Sequence, residues 1–459
     1  MPETSPASFL RKPRRTKRLV LCLDGTWNSD DGEKITNIVR IRDLIDPAFE
    51  NPDGSEIWQQ RVFYHTGVGT GLTQKDKIFG GATGAGLDEN VRHAYRFLSS
   101  HYEPGMEIFI FGFSRGAFTA RSVAGYLGSS GLLRPENCTR QTEQRAWQFY
   151  RTAPNERFPR DGRDLAELCF PDVRVRLLGV FDTVGSLGVP VELFANWNRS
   201  RFAFHDVTLG SNIDYALHAV AIDEKRGPFG ASLWQYPNHR SFDSVEQVWF
   251  PGVHSNVGGG YANAALSNVT LDWMLSRIEA KGLDLRFLRD WKINVVPDPL
   301  GPINESRTAL YTYSKFHPLI RVINQTAARL PGGTRLSALP PHARPLGEML
   351  HWTALRRFKT SLETPGIVSA YNPVNVDAAL RDMFDTSSGR PNPIPIVGEQ
   401  GEPLNWLTSS AERDRVASLL PNPYLPMFKA SIDQFEISGA DTAAFIQPYQ
   451  QPRAGAAWA

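Results

Sequence analysis

The chain has 459 residues, 41% of them hydrophobic and 21% charged, with a net charge of +2. That is enough apolar material for a sizeable core. It excludes a disordered or fibrous chain, and the near-balanced charge excludes binding driven by a global charge excess. Three cysteines exclude a disulfide scaffold, and no run approaches the roughly 18 apolar residues of a transmembrane helix.

Residues 1–17 read as a basic mobile tail. The stretch Arg11-Lys12-Pro13-Arg14-Arg15-Thr16-Lys17-Arg18 holds six positive charges in eight residues, a solvated segment or a contact to anionic headgroups. The next run, Leu19–Leu23, is too short for a signal-peptide core and reads as a buried strand ended by Asp24-Gly25, with Cys22 inside it. Val62–His65 reads as a second strand. A glycine-rich stretch follows, ending in Gly80-Gly81-Ala82-Thr83-Gly84-Ala85-Gly86. It lacks the lysine of a phosphate-binding loop and reads as a loop near a substrate mouth. Leu87–His101 is a helix with Val91, Tyr95 and Leu98 on one face. Further strands are expected at Glu107–Phe113, Val173–Phe181 and Val245–Val253, and helices at Gly116–Leu127, Asp214–Arg226 and Val269–Ile278. Strands alternating with helices predict an α/β fold, a mostly parallel sheet with helices on both faces. Residues 18–290 form the core in this reading. From 291 to 459 prolines become frequent and periodicity weakens, as in a cap or C-terminal extension packed on the core, with one amphipathic helix-like piece at Phe316–Leu330.

Gly112-Phe113-Ser114-Arg115-Gly116 is a G-x-S-x-G motif between a strand and a helix. That context forces Ser114 into a sharp turn and exposes its hydroxyl at the carboxyl edge of the sheet, the position of a nucleophile. A serine needs a histidine base and a carboxylate to orient it, in the chain order Ser, Asp, His. His254 ends a strand and opens the glycine-rich Ser255–Tyr261, so it is the candidate base. His218 falls in the expected helix and reads as structural. Asp182 ends the strand Val173–Phe181 and is the candidate acid, with Asp206, Asp214 and Asp223 as competitors. The oxyanion hole is assigned to the Arg115 amide and to Gly25 or Thr26 after the first strand. Asp24 reads as a brace for that loop.

The stretches LVLCLDGTWN, GVGTG, GFSRGAFTARSVAGYL, GVFDTVGSLG, AIDEKRGPF and VWFPGVHSNVGGGY occur in this order over roughly residues 18–275. Together they resemble the α/β-hydrolase family called domain of unknown function 2235, which includes phospholipase effectors of the bacterial type VI secretion system. The later HWTALRRF and AYNPVN are similar to the tail of that family. The resemblance implies a Ser-Asp-His hydrolase on Ser114, Asp182 and His254, with a lipase or phospholipase A-type activity. It also implies export without a signal peptide after synthesis in the cytoplasm. The family usually reads His-Ser-Asp-Val-Gly-Gly after the base, and this chain has Asn256 at the third position.

Phe194, Trp197 and Phe204 are candidate substrate-binding residues, an apolar wall for an acyl chain. No H-E-x-x-H or paired C-x-x-C occurs, so no metal or cofactor is expected. The expected partners are an ester or phospholipid substrate and a membrane surface, with no nucleic acid; the oligomeric state is not readable. The competing class is a non-catalytic binding module on a hydrolase fold, with Asn256 in its favour.

Overall fold

The structure is a computed structural model. It describes residues 14–25, 35–50, 56–67, 84–184, 209–235, 244–307, 318–324, 335–337, 345–364, 366–384, 394–404, 406–407 and 409–437.

Among the described residues ten strands form one sheet. In chain order they are β1 (Arg14–Leu23), β2 (Ala48–Glu50), β3 (Glu56–His65), β4 (Glu107–Phe113), β5 (Val175–Phe181), β6 (Ile213–Ala221), β7 (Val245–Phe250), β8 (Glu348–His351), β9 (Ile396–Val397) and β10 (Pro403–Leu404). Their spatial order is β10-β9-β8-β7-β6-β5-β4-β1-β3-β2. All pairings from β9 to β3 are parallel, and only the edge strands β2 and β10 run antiparallel. The fold is α/β, a sheet of mostly parallel strands, as expected.

The strand sequences explain why both faces are covered. Ile108 and Ile110 of β4 join one core with Leu19, Leu21 and Leu23 of β1. Phe109, Phe111 and Phe113 join a second core with Val20 and Cys22. Successive side chains point to opposite faces, so apolar residues at every position require helices on each side. Helices α2 (Gly84–His101) and α3 (Arg115–Ser130) cover the first face. Helices α1 (Asn37–Leu44) and α5 (Ala265–Ala280) cover the second. A short helix α4 (His254–Gly258) precedes α5. Near the far edge, α6 (Trp352–Glu363) and α7 (Val374–Phe384) pack on a third cluster with Val220, Trp249, Leu350 and Ile396.

Three sequence expectations change. Asp214–Arg226 is not a helix: Ile213–Ala221 is the central strand β6, buried between β5 and β7. A strand buried on both faces shows no alternation, and its four alanine or leucine positions carry helix propensity. Of the helix-like piece expected at Phe316–Leu330 only residues 318–324 are described, and there Leu319–Arg321 is a short strand, paired in parallel with Arg335–Ser337. Third, Arg14–Lys17 of the expected tail lie in β1 against Glu56–Gln59. The basic run ends in ion pairs: Lys17 meets Glu103, and buried Arg18 meets Glu107 and Asp284. The region beyond 291 also contributes β8, β9 and β10 to the main sheet itself. Among the described residues no helix is long and apolar enough to cross a membrane.

Candidate active site at the carboxyl edge of the sheet

β1 and β4 are neighbours, yet β3 lies beyond β1 and β5 beyond β4. The chain therefore leaves this pair in opposite directions, and the crevice outside their carboxyl ends is where α/β sheets place ligands. Asp24 follows β1 there, and Ser114 follows β4.

Ser114 has φ 58° and ψ −122°, a backbone conformation suited to glycine. Its N–H donates to Phe181 O at 3.1 Å, and its carbonyl accepts the first helical bond of α3 from Phe118. The two glycines of the motif are required by contact. A Cβ on Gly116 would stand 2.1 Å from Leu23 O, and one on Gly112 would stand 2.6 Å from Gly116 O. Gly116→Ala is therefore expected to destabilise the fold by about 1–3 kcal/mol, because backbone and not a side chain must give way. Urea denaturation of the variant measures this.

Asp182 follows β5 directly and is fully buried. Its N–H donates to Ala219 O, which fixes the turn over β6. His254 opens α4 beyond β7 and reaches across β6. Its Nδ1 lies 2.6 Å from Asp182 Oδ2. With the Nδ1 proton on that bond, Nε2 keeps its lone pair. The imidazole packs on Phe113, 4.6 Å between ring centroids, and edge-on to Phe229 at 5.0 Å. Phe113 is the last residue of β4 and precedes Ser114, so this ring contact ties His254 to the strand that carries the Ser114 turn. Gly258 makes room for it: a Cβ there would meet the Phe113 ring at 2.0 Å. The His254 N–H donates to Glu224 Oε2, and Glu224 is held in a fork by Arg226.

Burial lowers the affinity of His254 for a proton, and the bond to Asp182 opposes this without overcoming it. Burial alone would raise the Asp182 pKa. The Arg321 charge, with the His254 and Arg321 hydrogen bonds, overrides it and holds the carboxyl well below the usual carboxylate range.

The Arg115, Gly116 and Ala117 N–H groups open α3 and have no carbonyl one turn earlier in the helix. The Arg115 guanidinium is half-buried, and burial lowers its pKa to about 10. Gly25 is a correction: its N–H is turned back onto Asp24 Oδ1 at 2.7 Å and is already used. Asp24 does brace this loop, also accepting Thr36 Oγ1 at 2.6 Å and Tyr64 OH at 3.2 Å. Thr26, Phe194, Trp197 and Phe204 lie outside the described residues.

Of the competing carboxylates, Asp206 lies outside the described residues, and the other two have partners of their own. Asp223 accepts from Gly252 N–H and Tyr371 OH, and burial raises its pKa to about 6. Asp214 pairs with Arg174. His218 lies on β6 and not in a helix. Its Nε2 accepts from Thr183 N–H and its Nδ1 faces Gln247 Oε1, while burial lowers its pKa to about 3. It is a neutral structural histidine under the residue after Asp182. Asn256 caps α4 through Val253 N–H and exchanges hydrogen bonds with Asn304. Its amide has a structural use: Nδ2 donates to Asn304 Oδ1. Among the described residues no group of three or more His, Cys, Asp or Glu gathers as a metal site would.

Arg321 is the residue that sequence reasoning missed. It comes from the region beyond 291, is fully buried, and grips both Asp182 oxygens. The strand that carries it is tied down on both sides. Leu319 N–H donates to Lys225 O, and Asn375 Nδ2 donates to Arg321 O and Ile222 O.

A second buried carboxylate lies nearby. Glu348 of β8 accepts from Trp249 Nε1 and Asn324 N–H on one oxygen. Burial raises its pKa from 4.5 to about 7. A carboxyl with a raised folded-state pKa stabilises the fold fully below 4.5, and that contribution is lost as pH rises through 7. Glu348→Gln keeps the accepting oxygen and removes the charge. It is expected to match wild type at pH near 4 and to exceed its stability by about 1–3 kcal/mol at pH 8. Urea denaturation at both pH values checks the sign.

The comparisons with known proteins bear on this geometry. The model of the type VI secretion Tle1-like phospholipase effector catalytic domain matches residues 17–277, more than half of the chain. The chain belongs to this family. An uncharacterized protein of Saccharomyces cerevisiae is 29% identical over 236 residues, covering 46% of this chain and 32% of its own length. The chain thus spans about a third of that curated relative. Among solved structures, a Tle1 effector bound to the VgrG spike of a type VI secretion system is 20% identical with a TM-score of 0.32, covering 57% of this chain and 56% of that one. An uncharacterized protein from Pseudomonas aeruginosa is 17% identical with a TM-score of 0.40, covering 97% and 68%. A thermophilic esterase from Thermogutta terrifontis with butyrate bound is 12% identical with a TM-score of 0.28, covering 61% and 88%. Family membership rests on the match over 17–277.

Proposed function

We propose that this protein is a serine hydrolase that cleaves the acyl ester of a phospholipid through Ser114, His254 and Asp182. The observation that carries the reading is the 2.6 Å contact of His254 Nδ1 with buried Asp182, at the sheet edge where Ser114 is held at φ 58°.

In this mechanism Ser114 Oγ attacks the ester carbonyl as His254 Nε2 takes its proton. The Asp182 carboxylate stabilises the imidazolium and holds its tautomer. The carbonyl oxygen becomes an oxyanion, and the Arg115 N–H at the start of α3 donates to it, helped by the positive end of the helix. His254 then returns the proton to the leaving lysophospholipid oxygen, and the acyl group stays on Ser114. Water attacks the acyl-enzyme by the same route in reverse, releasing the fatty acid. No cofactor is required for these steps. The family supports delivery by a type VI apparatus and a membrane as the substrate surface.

The experiment is incubation of wild type and Ser114→Ala with phosphatidylethanolamine and phosphatidylglycerol vesicles, with lipid products read by mass spectrometry. Free fatty acid plus lysophospholipid from wild type alone supports the reading. Release of a phosphorylated headgroup instead, or no product from any vesicle or short-chain ester, overturns it.

A further inference from the structure

We propose that Arg321 is a positioning residue for the catalytic pair: it fixes the Asp182 carboxylate and, by placing a positive charge behind it, keeps His254 free of a proton at acidic pH. The proposal rests on the Ser-His-Asp reading above.

A carboxylate has about four lone-pair sites, and here four donors fill them. Asp182 Oδ1 accepts from Ala221 N–H at 2.9 Å and Arg321 Nη1 at 2.6 Å. Asp182 Oδ2 accepts from His254 Nδ1 at 2.6 Å and Arg321 Nη2 at 3.0 Å. The bidentate fork leaves the carboxylate one rotamer, the one that aims Oδ2 at His254. The guanidinium is itself held. Nη1 also donates to Ala221 O at 2.7 Å and Nη2 to Phe229 O at 2.5 Å. Phe229 is the ring set edge-on against His254. A single side chain from beyond residue 291 therefore locks both the acid and one wall of the base.

Among the described residues, four charged groups form the network around His254. Asp182 lies on Nδ1, Glu224 accepts its backbone N–H, Arg226 forks onto Glu224, and Arg321 lies behind Asp182. Phe113 and Phe229 pack against the ring and bring no charge. Among the described residues these two carboxylates and two guanidiniums cancel. With Arg321 removed, the three that remain carry one net negative charge in a buried setting, and the imidazolium is favoured. The acid limb of the rate profile then moves to higher pH. Both Arg321 and Asp182 have side chains 0% exposed, so solvent does little to screen this effect.

The test is the pH dependence of kcat/KM on a soluble p-nitrophenyl ester for wild type, Arg321→Gln and Arg321→Lys. Gln keeps hydrogen-bond donors and removes the charge; Lys keeps the charge and loses the fork. The expected result is an acid limb raised by about one pH unit or more in Arg321→Gln, with Arg321→Lys close to wild type in limb position and reduced in kcat. A uniform loss of activity in Arg321→Gln with the limb unmoved overturns the proposal and leaves a purely structural ion pair. If Arg321→Gln does not fold, Arg321→Lys decides: kcat reduced about tenfold or more at an unmoved limb supports the proposal, and kcat equal to wild type overturns it. A wild type without turnover, and without an acyl-enzyme on Ser114, overturns the proposal together with the reading beneath it. An active wild type with an unmoved limb overturns the proposal alone.

Discussion

Asp182→Asn is expected to lower kcat by about four orders of magnitude and, at the same time, to destabilise the fold by about 3–5 kcal/mol. The first effect is the loss of the anion that holds the His254 tautomer. The second follows from Arg321. In a triad whose acid meets only backbone N–H groups, an amide is a near-isosteric replacement. Here Arg321 donates to both Asp182 oxygens from a fully buried position. An amide nitrogen would face a guanidinium donor, and the cation would lose its counter-charge inside the protein. Breaking one side of a buried pair costs more than replacing both. The double variant Asp182→Asn/Arg321→Met is therefore expected to regain part of the stability lost by Asp182→Asn, with no recovery of activity. Urea denaturation of the two proteins measures the difference.

Ser114→Ala is expected to lower ester turnover by at least three orders of magnitude with stability close to wild type. Alanine loses the nucleophile and keeps a Cβ, so the strain of φ 58° is unchanged. Ser114→Gly separates the two roles. It is equally inactive, and it relieves a left-handed conformation that costs a non-glycine residue about 1–3 kcal/mol. Its midpoint of denaturation is expected above that of Ser114→Ala. A strained serine that becomes more stable as glycine and inactive as alanine is the signature of a turn shaped for chemistry.

The parts of this site that carry strong local signals were legible in the sequence. Gly112 and Gly116 flank Ser114 because the strand-to-helix turn brings backbone within 2.1–2.6 Å of where their Cβ atoms would be. Asp182 was readable as a carboxylate at a strand end. His254 was readable at the end of β7, although it opens a short helix and not an open loop. The central strand β6 was not legible. Its Ile213–Ala221 sequence has apolar residues on both faces, and the alternation that marks a half-buried strand is absent. β8, β9 and β10 span four, two and two residues, too short to leave any periodic pattern. Arg321 was hidden for a related reason. Leu319-Ile320-Arg321-Val322-Ile323 scans as one face of an amphipathic helix, with arginine on the wet side. The alternative signal was present: a single arginine inside an apolar run must find a carboxylate if that run is buried. Its partner lies 139 residues earlier, and only the fold brings the two together.

The most direct test of the central claim is labelling of the wild-type protein with a fluorophosphonate, followed by peptide mass spectrometry. The predicted result is a single adduct on the peptide that carries Ser114, abolished in Ser114→Ala and slowed in Asp182→Asn. A folded wild-type protein that takes no label, or takes it on another serine, would contradict the assignment of Ser114 as the nucleophile.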